Sequence, residues 1–117
     1  MPLTVAHEIR EGYFWIGVTG RWELREIFRV IDTVRGQTEL AGHDRVFVDL
    51  RGVDGPIPAL DRFFAGERVA AVLGPVIRLA VFARPALIDK FGENTAVNRG
   101  ARILVTGKMS EALAFLA

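Results

Sequence analysis

Three short apolar runs constrain the fold of this chain more than any other feature. "RVFVDL" begins at Arg45, "VIRLAVFA" at Val76 and "RILVTG" at Arg102. Each is nearly continuous in β-branched, leucine or phenylalanine residues rather than alternating apolar with polar. That pattern suits a strand buried on both faces, as in a parallel sheet covered by helices. The segments between the runs have helical length and carry helix signals. Pro58 suits a first helical turn, and Gly74-Pro75 is a stop before the next strand. Pro85 opens a further helical stretch, interrupted near Gly92 and closed by Gly100. After the last run, Ser110 is placed to cap a short final helix, "EALAFLA".

The N-terminal third has a different period. Residues 3–9 read as a strand, Glu11-Gly12 as a turn, and "YFWIGV" as a second strand paired with the first in a hairpin. From Trp22 to about Leu40, Leu24, Ile27, Phe28, Ile31 and Val34 recur at helical spacing, with Arg25, Glu26, Arg29 and Asp32 largely on the other side. The order is therefore β-β-α-β-α-β-α-β-α. It predicts a single α/β domain over residues 1–117: a mixed, mainly parallel five-stranded sheet with helices on its faces and right-handed crossovers.

Composition removes several functions. The chain of 117 residues has no cysteine, so thiol catalysis, disulfides and zinc–thiolate sites are absent. Its two histidines, His7 and His43, have no ligand spacing, and no metal or cofactor is expected. A net charge of +1 with dispersed arginines provides no nucleic-acid footprint. Trp15 and Trp22 are therefore expected in packing rather than in base stacking. Residues 1–12 lack a signal-peptide pattern, and the apolar run 69–77 is too short to span a bilayer, so a cytoplasmic location is expected. Ser110, the sole serine, reads as a cap rather than a nucleophile, and no carboxylate pair is spaced for acid–base work. A non-enzymatic role is expected.

The hairpin, "GRWELREIFRVID", "VFVDLRGV", "LAVFA" and "RILVTGKMSEALAFL" together resemble the SpoIIAA-like branch of the STAS domains, the anti-sigma-factor antagonist fold, over essentially the whole chain. The resemblance implies a regulatory module with a protein partner. It also implies a fold relation to the lipid-binding CRAL-TRIO domains, and hence an alternative role in binding a lipid or other amphipathic small molecule. In signalling members the loop after this strand carries a phosphorylatable Ser or Thr. Here the matching positions are Asp54, Gly55, Pro56, Ile57, Pro58 and Ala59, and none bears a hydroxyl. Asp54 alone lacks the charge and oxygens of a phosphate.

Two candidate surfaces follow. The loop holds Asp49, Arg51 and Asp54 beyond the carboxyl end of a central strand, where ligands of open α/β sheets collect. Arg51 could clamp an anion there with Asp49 or Asp54 orienting it, or Asp49 could simply accept loop N–H groups while Arg51 pairs with a surface carboxylate. The following helix is apolar on two sides. Leu60, Phe63, Phe64, Ala70 and Ala71 form one broad sector containing Glu67. Ala65, Val69 and Leu73 lie nearly opposite, where solvent is expected. Either Phe63 or Phe64 packs in the core with the other on the surface and Glu67 at the edge, or the helix is covered by a homodimer contact, or it borders a cavity or openable groove beside Phe63, Phe64 and Glu67. Burial of Glu67 would raise its pKa.

Overall fold

A computed structural model describes residues 3–85 and 91–117. Strand β1 (Thr4–Arg10) and β2 (Tyr13–Arg21) form the antiparallel hairpin, pairing Thr4 with Thr19 through to Arg10 with Tyr13. The chain reverses at Glu11-Gly12, where Gly12 has φ of 86°, a left-handed conformation open to glycine at little steric cost. Helix α1 (Leu24–Ala41) leads to β3 (Arg45–Asp54), α2 (Ala59–Val72), β4 (Arg78–Phe82), α3 (Phe91–Asn98), β5 (Arg102–Thr106) and α4 (Met109–Leu116). The expected opening of the third helical stretch after Pro85 falls partly outside the described residues.

The sheet has the order β1-β2-β3-β4-β5, with β2 through β5 parallel. Because each crossover advances one strand in the same direction, a constant hand places α1, α2 and α3 on one face. Side-chain alternation agrees. Phe14, Ile16, Val18, Val46, Val48, Leu79 and Val81 pack with Ile27, Val30, Ile31 and Val34 of α1 and Val69 of α2. The opposite face presents Phe47, Ala80 and Phe82, and α4 covers them with Ala112 and Leu116.

One irregularity shapes the site. Gly17 pairs with Asp49 but Thr19 pairs with Gly52, so β3 carries an extra residue against β2. The bulge keeps Val48 and Val53 both on the helix side despite their odd spacing. β3 also runs farther than the apolar run suggests, because β2 continues to Arg21 and supplies pairing as far as Asp54.

The last helix is capped differently from expectation. Ser110 lies inside α4 and makes no cap; the N-cap position is Lys108, which has no side-chain cap bond. Thr106 does the equivalent work, its Oγ1 accepting the Lys108 N–H at 3.1 Å while bonded to the Glu111 carboxylate.

Candidate functional site

Much of the expected loop is strand. Asp49 and Arg51 project to the same side of β3, where their side chains meet. The Asp49 carboxylate accepts the Arg51 backbone N–H at 3.0 Å. It also accepts both Nε at 3.0 Å and Nη2 at 2.8 Å from the Arg51 guanidinium. The guanidinium lies over the Phe82 ring, 4.3 Å from its centroid. These hydrogen bonds hold the Asp49 carboxyl below the usual carboxylate range, against the opposing effect of burial. Asp49 thus fixes the orientation of the Arg51 guanidinium, which remains about half exposed. Asp54, exposed at the strand end, uses its backbone carbonyl to accept the Trp22 N–H at 2.8 Å.

The remaining loop is short. Gly55, at φ of 90°, turns the chain, and Ile57 tucks into the interior with 9% exposure. Pro58 precedes the first turn of α2 and supplies no side-chain cap. The N-terminus of α2 is instead tethered by Trp22, whose Nε1 donates to Asp61 Oδ2 at 2.8 Å.

Helix α2 is rotated relative to the sequence expectation. Val69 is 8% and Leu73 1% exposed, with Gly66 also buried, whereas Leu60 is 61% and Phe64 38% exposed. The side with smaller residues faces the sheet. The physical reason is connectivity: only residues 73–77 separate α2 from β4, and Leu73 and Ile77 are both drawn into the core there. A helix apolar on both sides accepts whichever face its neighbours impose. Phe63 remains half-buried, its ring edge-on to Phe64 at 5.7 Å and under the Arg99 guanidinium. Glu67 is not a buried acid. Its side chain is 40% exposed and pairs with Arg99 at 3.5 Å.

That rotation produces two distinct spaces. Under α2 lies an apolar cavity of about 160 Å³, bordered by Ala65, Gly66 and Val69 of the helix and by its C-cap Leu73. Its floor includes Val48 and Leu50 of β3, Leu79 and Val81 of β4, and Ile103 and Val105 of β5. Trp22 and Ile57 close one end, and Arg62 and Glu93 are the charged side chains among its described lining. Glu93 is anchored by accepting the Val105 N–H. Outside α2 lies a shallow groove formed by Phe28, Phe64, Glu67, Arg68, Ala70, Ala71 and Arg99. Arg68 bridges its rim to α1, donating to Asp32 at 3.0 and 2.6 Å and lying over Phe28 at 5.4 Å.

The expected site residues thus divide. Phe64 and Glu67 belong to the outer groove, with Phe63 beside it; Val69 and Leu73 line the inner cavity; Asp49, Arg51 and Asp54 belong to neither. The groove expected beside Phe63, Phe64 and Glu67 is present as an open depression, and a more apolar, partly open pocket lies on the other side of the helix. Trp22, Ile57, Arg62, Gly66 and Glu93 were not singled out as site residues by sequence reasoning. One signal was available: a glycine in mid-helix costs about 1 kcal/mol relative to alanine and invites a packing reason.

Among the described residues no group of His, Asp or Glu could hold a metal ion, and no helix is long and apolar enough to cross a membrane.

No protein-family model matches the chain, and no curated protein matches it significantly. Solved structures do. An anti-sigma factor antagonist from Mycobacterium paratuberculosis aligns at a TM-score of 0.65 with 16% identity, over 97% of this chain and 93% of the other. An uncharacterized DUF3478-family protein with a SpoIIAA-like fold, from Shewanella loihica PV-4, aligns at 0.61 with 15% identity, over 99% and 94%. The chain has the SpoIIAA-like fold that its sequence resembles.

Proposed function

We propose that this chain is a non-enzymatic regulatory module that acts by protein contact through the outer face of α2, with a second copy of itself as its first partner. The observation that carries this reading is the inverted helix. Leu60 and Phe64 are left exposed, Phe64 sharing the groove with the half-buried Phe28, and the rim charges Arg68 and Arg99 already have partners in Asp32 and Glu67. An apolar strip edged by satisfied ion pairs can be covered without stranding a charge. A stable homodimer needs about 600 Å² from each copy, roughly a tenth of the 6255 Å² surface. The fold shared with an anti-sigma factor antagonist supports a regulatory role. The absence of any hydroxyl in residues 54–59 separates the chain from a phosphate-switched mode at that loop. Sedimentation velocity across a wide concentration range tests the proposal: reversible dimerisation is expected, abolished by Phe64→Glu. A strict monomer at every concentration contradicts it.

A second reading is favoured by the cavity. Its volume, about 160 Å³, is close to that of a ~150 Å³ apolar protein cavity that takes up benzene, and below the ~300 Å³ lower end of drug-sized pockets. The class of ligand it fits is one ring or a short alkyl segment, narrower than the long-chain lipids suggested by the relation to CRAL-TRIO domains. Native mass spectrometry of protein purified without detergent, together with thermal shifts in short alkyl and aromatic compounds, tests it. No bound mass and no stabilisation by any of them would count against this reading.

A further inference from the structure

We infer that α2 is a wall shared by the cavity and the groove, so that a small apolar molecule bound inside controls the docking face outside. The inference rests on the second reading above and adds to it a consequence for the outer surface.

The two spaces use different sides of the same helix. Ala65, Gly66, Val69 and Leu73 face the cavity, while Phe64, Glu67, Arg68, Ala70 and Ala71 face the groove. Nothing but the thickness of α2 separates them along these residues. The helix presents little bulk inward at Ala65 and Gly66, and lateral polar contacts help fix its position. Arg68 joins it to Asp32 of α1, and Arg35 Nη1 of α1 donates to the Val72 carbonyl at 3.2 Å. Glu67 joins it to Arg99, just beyond α3.

These clasps are also parts of the groove. Arg68 and Arg99 line it, and each guanidinium lies over an aromatic ring at its border, Phe28 at 5.4 Å and Phe63 at 5.3 Å. A molecule that fills the cavity tightly presses on Ala65 and Gly66. Any outward or sideways shift of α2 must then change the Arg68–Asp32 and Glu67–Arg99 geometry, and with it the groove. Trp22 gives the same displacement a second route, because its indole both lines the cavity and holds the first turn of α2 through Asp61. Packed interiors transmit such strain because they have little free volume in which to absorb it. By linkage, whatever occupies the groove changes the affinity of the cavity for its ligand by the same factor, commonly about 5- to 150-fold.

The test uses the full chain with benzene and n-butylbenzene as probes. Trp22 emission in a Trp15→Phe background reads occupancy of the cavity. The absence of native cysteine lets Ala71→Cys carry a single environment-sensitive dye in the groove. The expected result is a saturable change in both signals with the same midpoint. Ala65→Leu, which fills the cavity, should weaken both responses at least about tenfold; Val105→Phe fills it from the sheet if the helix variant does not fold. A Trp22 response with a silent groove dye overturns the coupling but leaves the ligand reading standing. Silence of both signals overturns both. A dye response that survives the cavity-filling variants places the probe in the groove itself and also overturns the inference.

Discussion

Replacing the same residue type on the two sides of α2 tests its orientation with little change in chemistry. Leu73 is 1% exposed and Leu60 61% exposed. Leu73→Ala deletes three fully buried carbons, worth about 0.8 kcal/mol each in transfer, or about 2.4 kcal/mol. It also enlarges a space that its neighbours already fail to fill, since Leu73 borders the cavity. The added cavity term brings the expected loss to about 3–4 kcal/mol, within the range of about 2.7–5 seen for buried leucines. For a domain of this size, about 4 °C per kcal/mol gives a fall in Tm of about 12–16 °C. Leu60→Ala removes carbons that are mostly in water, and alanine is the better helix former, so its loss should stay below about 1 kcal/mol. Urea unfolding followed by circular dichroism at 25 °C gives both values, provided the m-values match the parent. If Leu60→Ala proves as costly as Leu73→Ala, the helix is not packed as described and the cavity beneath it loses its basis.

Further outcomes follow from the same geometry. Asp32 and Asp49 are held below the ordinary carboxylate range by hydrogen bonds from Arg68 and Arg51. Their contribution to stability is therefore present above about pH 4 and lost as pH falls through the lowered native values. Urea midpoints should drop on acidification, and Asp49→Asn should flatten part of that drop; a pH dependence unchanged in the variant would contradict the pairing. Asp61→Ala removes the acceptor of the Trp22 indole N–H and should cost about 1 kcal/mol with a shift in Trp22 emission. Gly17→Ala sets a Cβ 2.5 Å from the Trp15 ring. The indole must rotate out from under Arg10, now 4.5 Å from its centroid, and the change should appear in near-ultraviolet circular dichroism with a loss of about 1–3 kcal/mol.

The architecture was legible because its signals are local. Continuous apolar runs such as "RVFVDL" identify strands buried on both faces, and the Gly74-Pro75 break ends a helix. The orientation of α2 was not legible. Phe63 and Phe64 outweigh Ala65 and Gly66 in any periodicity argument, yet the path of the chain into β4 decides which side is inside. The bulge at Leu50–Arg51 was hidden for a similar reason, since register against β2 depends on pairing distant in sequence. The cavity could not be read at all, because a void is a sum over side chains from three strands and several helices. The Asp49–Arg51 contact, by contrast, was legible, because two opposite charges close together at the end of a strand are within reach of each other and of the local backbone N–H.

The proposed docking face can be located directly by cross-linking. Single cysteines at Phe64 or Ala71 place a thiol on the outer face of α2, and Glu11→Cys places one in the exposed turn of the β-hairpin. A short bis-maleimide applied to dilute protein should join two copies through Phe64→Cys and Ala71→Cys but not through Glu11→Cys. Absence of cross-linked dimer from both α2 variants, or equal yield from the hairpin control, would contradict self-association through this helix.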